Sequence, residues 1–191
     1  FDPAHAFDPP YPLDKPNFVF TGTMDYPPNV DAVVWFAQDI LPLIRQTMPA
    51  AQFHIVGASP SPKVRALTSI GGVFVTGRVP DVRAYVAHAD ASVAPMRIAR
   101  GIQNKVLEAM AMGRPTVVTS DALEGIHAEP GRELLLADTA EEFAHACLSA
   151  AGLSGGSRGA AARRRVEQDY AWPALLQQFD RLLNQGKAAP V

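Results

Sequence analysis

Residues 95–115, PMRIARGIQNKVLEAMAMGRP, contain the pattern that indicates the fold of the chain most clearly. They follow a short apolar run at 91–94, pass through Gly101, and take on helical periodicity over 102–112. A glycine and a proline then end the helix, and residues 115–119 (PTVVT) are typical of a buried strand. Two short apolar strands joined by a helix indicate a βαβ unit with parallel strands.

The same alternation of apolar runs and helical segments continues on both sides of this unit. Runs bounded by glycine or proline predict strands at 17–22, 52–57, 72–77, 91–94, 115–119 and 133–137. Helical periodicity predicts helices at 29–48, 62–67, 81–88, 102–112, 140–151, 158–169 and 173–184. Asn29 is a candidate N-cap and Pro42 a candidate kink in the first of these helices. We therefore expect an α/β fold with a doubly wound, Rossmann-like parallel sheet of about six strands.

Residues 1–16 differ in composition, since they are rich in proline and show no periodicity. We expect them to form an extended interdomain linker, a remnant of the connection to an amino-terminal domain that this chain does not include. Residues 17–187 are then expected to form the folded domain.

Charge and cysteine content argue against several classes of protein. The formal net charge of −2 disfavours a general nucleic-acid binder, which is normally basic. Cys147 is the only cysteine, so no internal disulfide can form and a reducing compartment is expected. No run approaches the roughly 20 apolar residues that span a bilayer. Because the sequence has no Asp-x-Asp and no clustered histidines, we expect no metal site.

The start of the helix at 102–112 is the strongest candidate for a ligand site. Its free backbone N–H groups are expected at the carboxyl ends of the parallel strands, where such folds bind ligands. Gly101 allows close backbone approach, and Lys105, Arg97 and Arg100 offer positive charge nearby. We therefore expect a phosphate-bearing anion to bind here.

Glu108 lies one to two turns into the same helix, opposite an apolar stripe of Val106, Ala109 and Met110. A carboxylate in that place can accept hydrogen bonds from a ribose diol. The spacing leaves open a plainer alternative, in which Glu108 forms a surface ion pair with Lys105.

The segment GIQNKVLEAMAMGRPTVVTSDALEGI, residues 101–126, resembles the signature of the family-four glycosyltransferases, which have the GT-B fold. FTGTMDYPPNVDAV (20–33), FHIVG (53–57) and VTGRVPDVRAYVAHADASVAP (75–95) resemble, in order, the earlier parts of that family's donor-binding domain. The Gln-Asn-Lys at the helix start is similar to that of bacterial exopolysaccharide-associated transferases. The resemblance covers roughly residues 17–183 and implies the carboxy-terminal, nucleotide-sugar-binding half of a GT-B enzyme.

The resemblance also implies roles for single residues. Glu108 is similar to the family's ribose-binding glutamate, and Gly22 to the glycine that lets the first loop approach the donor. The expected diphosphate-binding residues are Gly101, Ile102, Gln103, Lys105 and Arg97, and the expected base-binding residues are Arg78 and Val79.

One position departs from the family's pattern. The first glutamate of the family's pair would stand eight positions before Glu108, and this chain has Arg100 there. That glutamate contacts the transferred sugar in the family, so the catalytic residues and the donor sugar stay open.

The reaction implied by the resemblance is transfer of a hexosyl group, with retention, from a nucleoside diphosphate sugar to an acceptor hydroxyl. No metal and no cofactor besides the nucleotide sugar is expected. The other partner would be the enzyme's own amino-terminal acceptor domain, so this chain alone is expected to be inactive. The parent enzyme would act in cell-surface polysaccharide synthesis, in the cytoplasm or at the inner face of the membrane.

Functions of other classes remain as alternatives. A dinucleotide-dependent dehydrogenase would need Gly-x-Gly-x-x-Gly after the first strand, whereas residues 22–26 are GTMDY. The phosphate-binding loop of P-loop nucleotidases does not occur in the sequence. One half of a nucleotide-sugar epimerase, or a non-catalytic nucleotide-binding module, would have the same fold.

Overall fold

Six parallel strands form the central sheet of the computed structural model, which describes residues 1–152 and 156–171. The strands are β1 (Asn17–Thr21), β2 (Gln52–Val56), β3 (Val73–Gly77), β4 (Ala91–Ala94), β5 (Thr116–Val118) and β6 (Leu135–Leu136). Their spatial order is β3-β2-β1-β4-β5-β6. The predicted doubly wound parallel sheet is therefore confirmed, and most strands are slightly shorter than predicted.

Helices cover both faces of this sheet. They are α1 (Pro27–Trp35), α2 (Leu41–Thr47), α3 (Pro62–Ala66), α4 (Arg83–His88), α5 (Asn104–Ala111), α6 (Ser120–Leu123), α7 (Ala140–Gly152) and α8 (Gly156–Asp169). α2 packs against α7 on one face, while α5 packs against α4 and α8 on the other. The helix predicted at 173–184 lies outside the described residues.

The helix predicted at 29–48 is a continuous helical unit with a π-helical segment, Phe36–Ile40, between α1 and α2. Pro42 has no N–H, so the carbonyl four residues before it cannot be bonded in the usual way, and the wider π turn accommodates this loss. The prediction of Asn29 as N-cap is wrong. The helix begins at Pro27, because the fixed φ of proline suits the first helical position.

α5 begins at Asn104, two residues later than predicted. Gln103 has an extended backbone, with φ −86° and ψ 96°, and therefore leads into the helix without belonging to it. The predicted apolar stripe is confirmed, since Val106, Ala109 and Met110 are fully buried. This burial fixes which face of α5 is turned away from the core.

Phenylalanine rings hold the α1–α2 unit against the sheet. Phe18, Phe36, Phe53 and Phe143 are all fully buried, and the ring centroids of Phe36 and Phe53 are 4.2 Å apart. Burying each of these side chains contributes about 2–3 kcal/mol to stability. The amino-terminal halves of β1 and β2 are thus packed against this helical unit.

Residues 1–16 contain no helix or strand, yet part of this segment is well packed. The ring of Tyr11 is buried and stacks on His54 with centroids 4.2 Å apart. Its hydroxyl donates a 2.6 Å hydrogen bond to the carbonyl of Tyr85. Within residues 1–152 and 156–171, no helix is both long and apolar enough to cross a membrane.

Candidate functional site

A cavity of about 500 Å³ lies at the carboxyl edge of the sheet. It is lined by the ends of β1 and β2 (residues 21–23 and 56–58), by Arg78, Val79 and Val82 after β3, and by the entry and first turns of α5 (residues 102–105 and Glu108). Adjacent strands β1 and β4 send their connections in opposite directions along the sheet. Such a switch point is where open parallel sheets bind their ligands.

Two glycines let the β1 and β2 loops approach each other at the base of this cavity. A Cβ added to Gly57 would lie 1.7 Å from the carbonyl oxygen of Gly22. Backbone hydrogen bonds hold the two loops together, from Gly22 N to Val56 O at 3.1 Å and from Met24 N to Ala58 O at 2.8 Å. The loops therefore form a closely joined wall made largely of backbone.

Lys105 brings a positive charge into the cavity. Its Nζ donates a 2.7 Å hydrogen bond to Oδ1 of Asn29 and lies 4.5 Å from the centre of the Phe20 ring. Burial of the ammonium lowers the pKa of Lys105 to about 8, while the negative charge of Glu108 acts in the opposite direction. No carboxylate of the described residues forms a salt bridge with Lys105. Its charge is therefore free to meet an anionic ligand.

Glu108 faces the same cavity from the next turn of α5. Partial burial raises the pKa of its carboxyl group, and the charge of Lys105 opposes that rise. Within the described chain, neither Glu108 nor Lys105 belongs to an ion pair. The simple surface pair that the spacing left open is therefore not formed. Glu108 instead lines the cavity.

The structure brings most of the other predicted site residues to the cavity wall. Those that line it are Gly22, Arg78, Val79, Ile102 and Gln103. Gly101 and Arg100 do not line it, although Gly101 has a left-handed φ of +68°, a conformation that favours glycine.

Arg97 is engaged away from the cavity. Its guanidinium donates to both carboxylate oxygens of Asp31, at 2.6 and 3.0 Å, and lies 5.1 Å from the centre of the Trp35 ring. Of the three side chains near the start of α5 that were expected to offer positive charge to a phosphate, Lys105, Arg97 and Arg100, Lys105 is the one that lines the cavity.

Sequence reasoning missed two residues that shape the site. The sequence predicts Asn29 as a helix cap, but its side chain is buried and contacts Lys105. Gly57 was recognised only as the end of a strand. A signal for its role was present in the sequence, because the first three predicted strands each end in glycine at the expected ligand edge.

No group of three or more histidine, cysteine, aspartate or glutamate residues in the described parts of the chain could hold a metal ion. The ionisable residues that line the cavity are Lys105, Arg78 and Glu108. That set suits a ligand with both a phosphate group and vicinal hydroxyl groups.

Comparisons with solved structures find the same fold in other proteins. Sucrose-phosphate synthase from Thermosynechococcus elongatus matches with a TM-score of 0.70 and 22% identity, over 94% of this chain and 47% of that one. HepE of Anabaena, solved with UDP and glucose, matches with a TM-score of 0.70 and 15% identity, over 90% and 48% of the two chains. This chain thus spans about half the length of those proteins.

A third structure is itself a single domain. The C-terminal domain of a group 1 family glycosyl transferase from Francisella tularensis matches with a TM-score of 0.66 and 12% identity. The match covers 82% of this chain and 87% of that domain. No curated protein sequence matches the chain.

The sequence also matches a protein-family model, described as "Glycosyl transferases group 1", over residues 15–152. That match includes all six strands and the whole cavity wall. The chain therefore belongs to the group 1 glycosyl transferases and has the α/β fold of their GT-B domains.

Proposed function

We propose that the cavity binds the nucleoside diphosphate part of a nucleotide sugar, and that the parent enzyme transfers the sugar to an acceptor hydroxyl with retention. The observation that carries this proposal is that Lys105 and Glu108 both line the cavity from one face of α5, and that the described residues show no salt bridge between them. Two structural neighbours, HepE of Anabaena and TarM of S. aureus, were solved in complex with UDP. These complexes support a nucleoside diphosphate as the ligand.

The diphosphate would bind where α5 begins. Ile102, Gln103 and Lys105 lie along this part of the cavity wall, where the backbone N–H groups of the first two and the ammonium of the third would bind the phosphates. Negative charge grows on the leaving diphosphate as its bond to the anomeric carbon breaks. A helix N-terminus and a fixed ammonium stabilise that charge without a metal ion, and they need little reorganisation to do so.

The nucleoside would extend from there along the ends of β1 and β3. Glu108 would accept hydrogen bonds from the ribose diol, and backbone groups of Arg78 and Val79 would contact the base. Gly22 would leave space for the donor beside the β1 loop. Because backbone groups would contact the base, the identity of the base is determined by titration with different nucleotides.

The acceptor domain is proposed to precede residue 17, as an amino-terminal half of the same enzyme. Support comes from the partial coverage of the longer neighbours and from the match to an isolated C-terminal domain. On this proposal residues 1–16 are an interdomain linker, and the chain alone binds the donor but transfers nothing. A role in cell-surface polysaccharide synthesis is proposed from the Gln-Asn-Lys resemblance.

Calorimetric titration of the chain with UDP, GDP and ADP, each with magnesium and with a chelator, tests the proposal. We expect one nucleotide to bind equally well in both conditions. Glu108→Gln should weaken that binding about tenfold or more, since a hydrogen bond to a charged acceptor contributes about 1.5–3 kcal/mol. Glu141→Gln, at an exposed position in the first turn of α7, is the matched control and should leave the affinity unchanged.

Two results would contradict the proposal. One is failure of all three nucleotides to bind both this chain and the full-length enzyme. The other is equal nucleotide affinity in the Glu108→Gln and Glu141→Gln variants. Incorporation of labelled sugar into an acceptor by the full-length enzyme separates transfer from epimerisation and from binding without chemistry.

A further inference from the structure

Asn29 joins two parts of the cavity wall that are far apart in sequence. Its side chain contacts the loop after β1 on one side and Lys105 of α5 on the other. We propose that Asn29 is a positioning residue, which holds the Lys105 ammonium against the β1 loop and so determines where the diphosphate binds. This inference rests on the proposed function of the cavity.

The two contacts fix the orientation of the Asn29 amide. Its Nδ2 donates a 2.9 Å hydrogen bond to the carbonyl of Thr23, and its Oδ1 accepts a 2.7 Å hydrogen bond from Lys105 Nζ. A carbonyl can only accept and an ammonium can only donate, so the amide cannot be flipped without losing both bonds. Asn29 is only 5% exposed, so water is largely excluded as a substitute partner.

Gly22 makes room for this arrangement. A Cβ added at Gly22 would lie 2.7 Å from Nδ2 of Asn29, closer than ordinary packing permits. A side chain at position 22 would therefore displace the Asn29 amide and, with it, the partner that holds Lys105.

A neutral amide at position 29 leaves the charge of Lys105 uncancelled. A buried lysine that serves stability alone is usually paired with a carboxylate, which cancels its charge. Asn29 accepts the hydrogen bond without cancelling the charge, and the Phe20 ring 4.5 Å away stabilises the ammonium through its π face. The ammonium is thus held in place while it remains able to attract a phosphate.

Few other charges bear on Lys105. In the part of the chain that the structure describes, Glu108 is the ionisable group that affects its pKa, and Arg78 also lines the cavity. Arg97 and Asp31, on the neighbouring loop and on α1, are paired with each other. The second pKa of a phosphate group is about 6, so its charge changes little between pH 7 and 9.5.

Three variants test the proposal. Asn29→Ala removes both contacts, whereas Asn29→Asp keeps the size of the side chain and places a negative charge beside Lys105. Asn17→Ala is the matched control, because Asn17 is also buried and hydrogen-bonded but lies at the opposite end of β1. Affinity for UDP, GDP and ADP is measured by calorimetry from pH 7 to 9.5, and the titration of the lysine ammonium groups is followed by NMR.

The wild-type affinity should fall as pH rises through about 8, where Lys105 loses its proton. Asn29→Ala should weaken binding about tenfold at pH 7. Asn29→Asp should weaken it by a similar factor through repulsion of the phosphate, while it raises the pKa of Lys105 and moves the decline in affinity to higher pH. Asn17→Ala should lower thermal stability and leave both the affinity and the Lys105 titration unchanged.

The positioning role is overturned if the Asn29 variants bind nucleotide as tightly as Asn17→Ala, or if Asn29→Asp leaves the titration of Lys105 unchanged. Those results would leave the proposed function intact, because wild-type binding would still be observed. If the wild-type protein binds none of the three nucleotides, the proposed function fails and the positioning role fails with it.

Discussion

Replacing Gly57 with alanine should separate the two loops that form the base of the cavity. The added Cβ would lie 1.7 Å from the carbonyl oxygen of Gly22, whereas ordinary carbon–oxygen contacts are about 3.3 Å. The loops would have to move apart by about 1.6 Å to relieve this contact. Gly57 also has a φ of +151°, which an alanine side chain rarely adopts.

The expected loss of stability follows from what that movement breaks. The hydrogen bonds from Gly22 N to Val56 O and from Met24 N to Ala58 O would be stretched, at about 1 kcal/mol each. The unfavourable φ costs roughly another 1 kcal/mol. We therefore expect Gly57→Ala to lower the free energy of unfolding by about 3 kcal/mol. In a domain of this size that corresponds to a decrease in Tm of roughly 6–12 °C.

Gly77→Ala is the matched control, because Gly77 ends the neighbouring strand and has a φ of +69° with no atom within 4 Å of an added Cβ. It should cost only the backbone strain, about 1 kcal/mol. Urea unfolding followed by circular dichroism measures the free energy for both variants, and calorimetry measures their nucleotide affinity. Equal destabilisation by Gly57→Ala and Gly77→Ala would refute the reasoning, since the close approach to Gly22 would then contribute nothing.

Two further predictions concern stability away from the cavity. Gly159→Ala, within α8, should destabilise the fold by about 2 kcal/mol although alanine normally favours a helix, because its Cβ would lie 2.0 Å from the carbonyl oxygen of Gly113. Gly152→Ala is the control, since its Cβ would have no atom within 4 Å, and it should be neutral or slightly stabilising in the same urea titration. Equal effects of the two substitutions would argue against the α5–α8 contact. Burial lowers the pKa of His54 to about 4, so the unfolded chain takes up a proton first as pH falls. The free energy of unfolding should therefore decrease by about 1–2 kcal/mol from pH 7 to pH 5. His54→Gln should remove this part of the decrease, and an unchanged pH dependence in that variant would contradict the role of His54.

The fold could be predicted from the sequence because its signals are local. Each buried strand is a short apolar run next to glycine or proline, and α5 has an apolar stripe at helical spacing. Parallel strands separated by helices then leave few possible arrangements. The helix starts were less predictable, because Asn29 and Pro27 both carry signals for the first turn and the proline at the first position prevailed.

The candidate site could be predicted only as far as one helix determines it. Lys105 and Glu108 share a face of α5, and that relation follows from their spacing. The contact between Lys105 and Asn29 joins residues 76 positions apart, and the pairing of Arg97 with Asp31 joins residues 66 apart. Such contacts depend on how the elements pack in three dimensions. Sequence spacing therefore could not decide which cation would reach the cavity.

β1 and β4 lie side by side at the centre of the sheet, and the chain leaves them toward β2 and β5 in opposite directions. Since crossovers between parallel strands are right-handed, the two connections pass over opposite faces and leave a gap between their starting points. The order of connections creates this gap, and no single side chain is needed to keep it open. Over evolutionary time most of the lining side chains can therefore be exchanged without loss of the gap, so that descendants keep a cavity in the same location while the chemistry of its wall changes.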